Sequence, residues 1–297
     1  PLNDVGSLFT FWRTMVGMPQ YADAARAAGE VMDSRVLRIF RTYLVYIPQM
    51  QRRVQWCRDN HAVWWRYMRA RILHYWANVQ IETVGDAALT ELLRIFPPRF
   101  LTSINLEGCR CTYQFLTRLV IAAAPRLRVL DLTRCEISYR LLRAASMCRF
   151  LVELVLNEVE GDYTCAGIET LVGTLPHLRR LGLLGTWGGD LVGLPNLLTR
   201  LFTSHPELSV LEISIPVLFE PELLMTIPPT LTRVTFVTEY DEFGDQHTTL
   251  LCGRCPRLEW VEVDGGDIRV VGIEALARLA DLTEVNLINC VARTPEN

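Results

Sequence analysis

Three groups of residues in this sequence have types and spacing that could do chemistry: a cysteine pair, a few histidines, and carboxylates beside a tryptophan. Cys252 and Cys255 have the C-x-x-C spacing of zinc ligands and dithiol redox centres. A tetrahedral zinc site needs two further Cys or His ligands, and no second pair accompanies this one, so packed thiols are expected. The five histidines are scattered, and His177 and His205 adjoin Pro176 and Pro206, which suits turns better than catalysis. There is no Gly-rich phosphate loop, no nucleophile elbow and no His-Glu-x-x-His pair. The expectation is a chain that is not an enzyme and needs neither cofactor nor metal. Trp260 with Glu262, Asp264 and Glu284 points to binding instead, because an aromatic anchor in an acidic rim suits a basic segment of a protein partner.

Charge divides the chain in two. The formal net charge is -3, yet residues 32–79 hold nine arginines against Asp33 and Asp59, a formal +7 that leaves the remainder near -10. The two parts should attract partners of opposite sign. All 30 of the Lys+Arg residues are arginine. Genomic bias and selection against lysine, the residue to which ubiquitin is joined, are equally open as causes. Nine cysteines, an odd number lying mostly at apolar positions, fit a reducing compartment, cytoplasmic or nuclear. No run approaches the ~18 apolar residues of a membrane helix, so no membrane span is expected.

The elements that position these residues follow from a repeat. Leu-x-x-Leu-x-Leu, with aliphatic or aromatic substitutes, recurs eight times at spacings of 23 to 30 residues, from Leu101/Ile104/Leu106 to Leu282/Val285/Leu287. Cys109, Cys135 and Cys290 end three of the units where such repeats place Asn or Cys. Each unit reads as a short strand, a turn and a helix, such as Tyr139 to Met147 or Ile273 to Ala280, with prolines at 125, 176, 206, 229 and 256 ending the preceding helix. Residues 84–93 read as the helix of an incomplete first unit. One unit cannot bury its own apolar side, whereas a stack can. The fold class expected is therefore α/β, a leucine-rich-repeat solenoid in the shape of a horseshoe, with a parallel sheet on the concave face and a small all-α domain before it. This resembles the cysteine-containing repeats of the F-box and ribonuclease-inhibitor-like families. Function then sits in the variable strand positions of the concave face, among them Arg180, Glu212, Arg233, Trp260, Glu262, Asp264 and Glu284.

Residues 1–80 differ: Trp and Arg become dense, helical spacing prevails and no repeat strand is evident. The expected organisation is a helical extension over 1–31, a helical domain over 32–80 and repeats over 81–297. Within 33–68, Val36, Leu37, Ile39, Phe40, Leu44, Val54, Cys57 and Trp65 resemble a divergent F-box, although Met32-Asp33 replaces the usual Leu-Pro opening. That resemblance implies docking of a Skp-type adaptor and cullin complex through these eight residues. It makes the chain the substrate receptor of a ubiquitin ligase, with the repeats selecting a protein substrate. Two alternatives stay open for the segment. One is a helical cap on the solenoid; the other is a structural or assembly subunit of a larger complex, which by analogy with known repeat accessory proteins would be mitochondrial. Nucleic-acid binding by the arginines and tryptophans is disfavoured, because helical spacing places most of those aromatics in a core.

Overall fold

The structure, a computed structural model, describes residues 78–80, 86, 90, 98–185, 193–215, 221–238 and 243–290. The chain forms two compact units, Pro1–Arg110 and Cys111–Asn297. In the first, strand β1 (Asn78–Gln80) pairs in parallel with β2 (Ser103–Asn105), Val79 opposite Ile104. This corrects the reading that no repeat strand precedes residue 81. Trp76, Val79 and Ile81 have the repeat spacing, with a tryptophan in the leading leucine position. Asp86 and Thr90 are helical, the Thr90 hydroxyl donating to the Asp86 carbonyl at 2.7 Å, in line with a helix there.

The second unit alternates strands and helices. Its strands are β3 (Val129–Asp131), β4 (Glu136–Ser138), β5 (Glu153–Val155), β6 (Glu160–Asp162), β7 (Arg180–Leu183), β8 (Val210–Ile215), β9 (Arg233–Thr238), β10 (Trp260–Asp264) and β11 (Glu284–Ile288). Its helices are α1 (Tyr113–Ala123), α2 (Tyr139–Ala145), α3 (Cys165–Val172), α4 (Leu194–Ser204), α5 (Pro221–Leu224), α6 (Asp245–Arg254) and α7 (Val270–Ala277). Strands β3, β5, β7, β8, β9, β10 and β11 lie side by side, all parallel, in the architecture of a leucine-rich-repeat solenoid.

The repeat leucines cause this arrangement. Leu130, Leu154, Leu181, Leu211 and Val234 occupy one row across the sheet and are each 0% exposed, while their sequence neighbours turn to the other face. Stripes such as Leu116, Leu119, Val120 and Ala123 of α1 close the core from the helical side. Thr112, Ser138 and Thr164 cap α1, α2 and α3 by accepting the N–H three residues on. Register is pinned where each strand begins. The Arg128 carbonyl accepts from both Val152 and Glu153, Val152 from Arg179 and Arg180, and the same pair of bonds repeats at Arg179, Ser209, Thr232 and Glu259.

Two sequence expectations shift. Helix α7 starts at Val270 rather than Ile273, because Asp245 of the preceding repeat accepts the N–H groups of Arg269 and Gly272 at 2.7 and 2.8 Å. Helix α2 ends at Ala145, where Met147 and Cys148 close tighter i to i−3 bonds. The small pair β4 and β6 was not expected; its close approach requires Gly161, whose φ is +123° and whose added Cβ would lie 2.1 Å from the Ile137 carbonyl oxygen. The last repeat differs too. Val285 is 39% exposed where Val261 is 1% exposed.

Candidate protein-binding face

Residues that flank the buried strand positions form the open face of the sheet. In register across it run Glu153, Arg180, Val210, Arg233, Trp260 and Glu284. The next row on holds Val155, Gly182, Glu212, Thr235, Glu262 and Asn286. The structure thus brings Arg233, Trp260, Glu262, Asp264 and Glu284 together over three adjacent strands, and puts Arg180 and Glu212 nearer the middle.

In the middle the charges satisfy one another. The Arg180 guanidinium donates to Glu212 at 2.7 Å and approaches Glu153 at 3.6 Å. Glu212 also accepts from the Asn157 amide at 3.0 Å, and Asn157 accepts from the Leu184 N–H at 2.8 Å. Asn157 and Glu212 meet across β7 only because Gly182 lies between them; a Cβ there would sit 2.8 Å from Asn157 Oδ1 and 3.2 Å from Glu212 Oε2. Asp131 is likewise engaged, accepting from the N–H and hydroxyl of Thr133. Glu212 and Arg180, expected to face a partner, are therefore tied to their neighbours.

At the β9 to β11 end the pairing is different. The Arg233 guanidinium carbon lies over the Trp260 ring, 5.2 Å from its centroid, a cation–π contact. Asn286 donates to Glu262 and Glu284 at 3.4 and 3.3 Å, and Asn289 donates to Asp264 at 2.8 Å. Neutral amides orient these carboxylates without cancelling their charge. Among the described residues none of the three has a cationic partner. Asn289, at φ +50° in a turn after β11, was not among the sequence candidates; the Asx preference for left-handed backbone was the available signal.

The remaining candidates resolve simply. Cys252 and Cys255 are buried, and burial pushes their thiols up to about 11 and about 12, so neither is a thiolate near neutrality. Cys255 donates to the Pro228 carbonyl. Among the described residues no cluster of three or more His, Cys, Asp or Glu could hold a metal ion. His205 is 3% exposed, its ring nitrogens 3.1 and 2.9 Å from the Leu201 and Leu175 carbonyls, a structural bolt between repeats. No helix among the described residues is long and apolar enough to cross a membrane. Val36, Leu37, Ile39, Phe40, Leu44, Val54, Cys57 and Trp65 lie outside the described residues.

Comparison with known proteins adds little to this geometry. No family model and no curated protein matches the sequence. Among solved structures, the leucine-rich-repeat ectodomain of the plant membrane receptor kinase GASSHO1/SCHENGEN3 from Arabidopsis thaliana, in complex with Casparian strip integrity factor 2, is similar at 14% identity and a TM-score of 0.22. The match covers 70% of this chain and 34% of that one. Resemblance at that level carries no argument; the class rests on the chain's own repeats and parallel sheet.

Proposed function

We propose that this chain is a non-enzymatic protein-interaction scaffold whose sheet face, from β9 to β11, holds a basic segment of a partner protein. One observation carries the reading: Trp260 already accepts a guanidinium on its ring, while Glu262, Asp264 and Glu284 beside it have amide but no cationic partners among the described residues. The test is the affinity of an arginine-rich peptide for the chain and for a Glu262→Gln, Glu284→Gln double variant. Removing two charges should weaken binding by about tenfold and flatten its salt dependence. Equal affinity for both forms overturns the reading.

The F-box resemblance extends this scaffold to a substrate-receptor subunit of a Skp, cullin and F-box ubiquitin ligase. Supporting it are the spacing of Val36 to Trp65, the basic charge of that segment and the absence of lysine. Its contribution to ubiquitin transfer would be proximity, holding the substrate near the conjugating enzyme. Co-purification with a Skp-type adaptor tests this. Binding lost in a folded Leu37→Asp, Phe40→Asp variant supports the receptor role; no binding by either form removes it and favours an assembly subunit.

A further inference from the structure

We propose that the flank of the second unit where β3, β5 and β7 begin is another binding surface, and that it takes an acidic segment of a protein partner with a large apolar side chain set among its anionic residues. The inference stands apart from the β9 to β11 face and is opposite to it in sign.

Charge supplies the first part of the case. Residues 111–151 hold seven arginines against Asp131 and Glu136, a formal +5, whereas residues 152–290 hold eight arginines against 21 carboxylates, a formal -13. Of the seven, only Arg134 has a carboxylate partner among the described residues, Glu158. Arg126, Arg128, Arg143 and Arg149 are exposed. The C-terminus of a helix favours a cation, which accounts for one arginine near the end of α1 and one near the end of α2; here there are two at each.

The repeat supplies the second part. The Arg128 carbonyl accepts from Val152 and Glu153, and that of Val152 from Arg179 and Arg180, so residues 128, 152 and 179 lie side by side. Counting back in the same register puts Arg126, Phe150 and His177 in one row, each just before a buried leucine. Every other repeat of the second unit has a polar residue at that position, as in Glu207, Thr230, Arg257 and Asp281. Phe150 breaks the series and is 55% exposed, and Met147 in the same turn is 56% exposed. Arg149 stands where the adjoining repeats have Pro125 and Pro176. Rows of a sheet lie ~4.8 Å apart and an extended chain advances ~3.4 Å per residue, so a segment of a few residues reaches Arg126, Phe150 and Arg149 together. An apolar side chain among its carboxylates covers Phe150 and Met147 while the anions meet the guanidinium groups. A long polyanion fits less well, because it would run past this basic island onto acidic repeats and be repelled there at distances within the ~8 Å screening length.

The probe is a blocked peptide of about seven residues, a leucine with acidic residues on both sides, compared with the same peptide carrying serine at its centre. On the full chain the leucine peptide should bind about fivefold more tightly than the serine peptide. A Phe150→Ser variant, folded by circular dichroism, should erase that difference and leave the serine peptide unchanged. Arg126→Gln with Arg149→Gln should weaken both peptides about fivefold or more and flatten their salt dependence. Arg257→Gln, at the same turn position outside the island, should change neither. Equal affinity of wild type for the two peptides, or no binding of either, overturns the proposal. Tighter binding of a single-stranded oligonucleotide or of anionic vesicles, lost in the double arginine variant, overturns it as well and reassigns the island to that ligand. The Glu262→Gln, Glu284→Gln variant should bind both acidic peptides as wild type does, so failure here and failure of the β9 to β11 reading are separate outcomes.

Discussion

The middle and the end of one sheet face carry the same residue types at the same strand positions, yet they differ in what they can offer a partner. Glu212 on β8 and Glu262 on β10 both sit between the second and third apolar positions of their repeats. Glu212 has Arg180 at 2.7 Å and Asn157 at 3.0 Å; among the described residues Glu262 has only an Asn286 amide at 3.4 Å. The difference comes from neighbours: a glycine at 182 lets side chains meet across β7, and an arginine at 180 supplies the cation. At the end, the arginine in the corresponding row, Arg233, lies over Trp260 instead. Position in a repeat fixes which way a side chain points, and the adjacent strand decides whether its charge remains available.

Breaking the middle should cost stability, and altering the end should change binding. The largest effect is expected from Arg180→Met, which strips Glu212 and Glu153 of their cation; denaturant unfolding should show a loss of about 2 kcal/mol, and peptide affinity should stay within about twofold. Gly182→Ala comes next. Its Cβ would press on Asn157 Oδ1 and Val155 Cγ1 at 2.8 and 2.9 Å, and the expected loss is about 1 kcal/mol, read in the same unfolding curves. At the other end, Arg233→Met should raise affinity for an arginine peptide about threefold by clearing the Trp260 ring, with the melting temperature little changed. A fall in affinity would mean that Arg233 positions the ring and does not compete for it.

The smallest effect concerns an exposed pair outside both regions. The Arg134 side chain donates to Glu158 at 2.7 Å and holds its carboxyl below the usual carboxylate range. A lowered folded value means the stabilisation is complete above the unfolded carboxylate range and is lost as pH falls through the folded value. Wild type and Glu158→Gln should therefore differ slightly in melting temperature at neutral pH and converge in acid.

The eight repeats were legible because core leucines recur whatever decorates them, and the buried rows follow those positions from Leu101 to Val263. The strand at 78–80 was not, because tryptophan stands in for its first leucine. Nor was the start of α7: its cap, Asp245, belongs to the preceding repeat, so local sequence holds no sign of it. Trp260 and its carboxylates could be placed on one face by strand alternation alone. Which carboxylates were already neutralised could not, since that depends on cross-strand register and on a missing side chain at 182.

The doubly used carbonyls at the strand starts give the array a direction under load. Each of the six, from Arg128 to Glu259, takes its bonds from the repeat that follows, and His205 and Cys255 reach back the same way to Leu175 and Pro228. Tension applied to the two ends is carried through these seams in series, so the weakest yields first. Among the described residues, the seam expected to yield first is the one beside β11, where Val285 is 39% exposed. A single molecule stretched by its termini should give a sawtooth whose first low-force tooth releases one repeat, roughly 85 Å of chain at about 3.5 Å per residue.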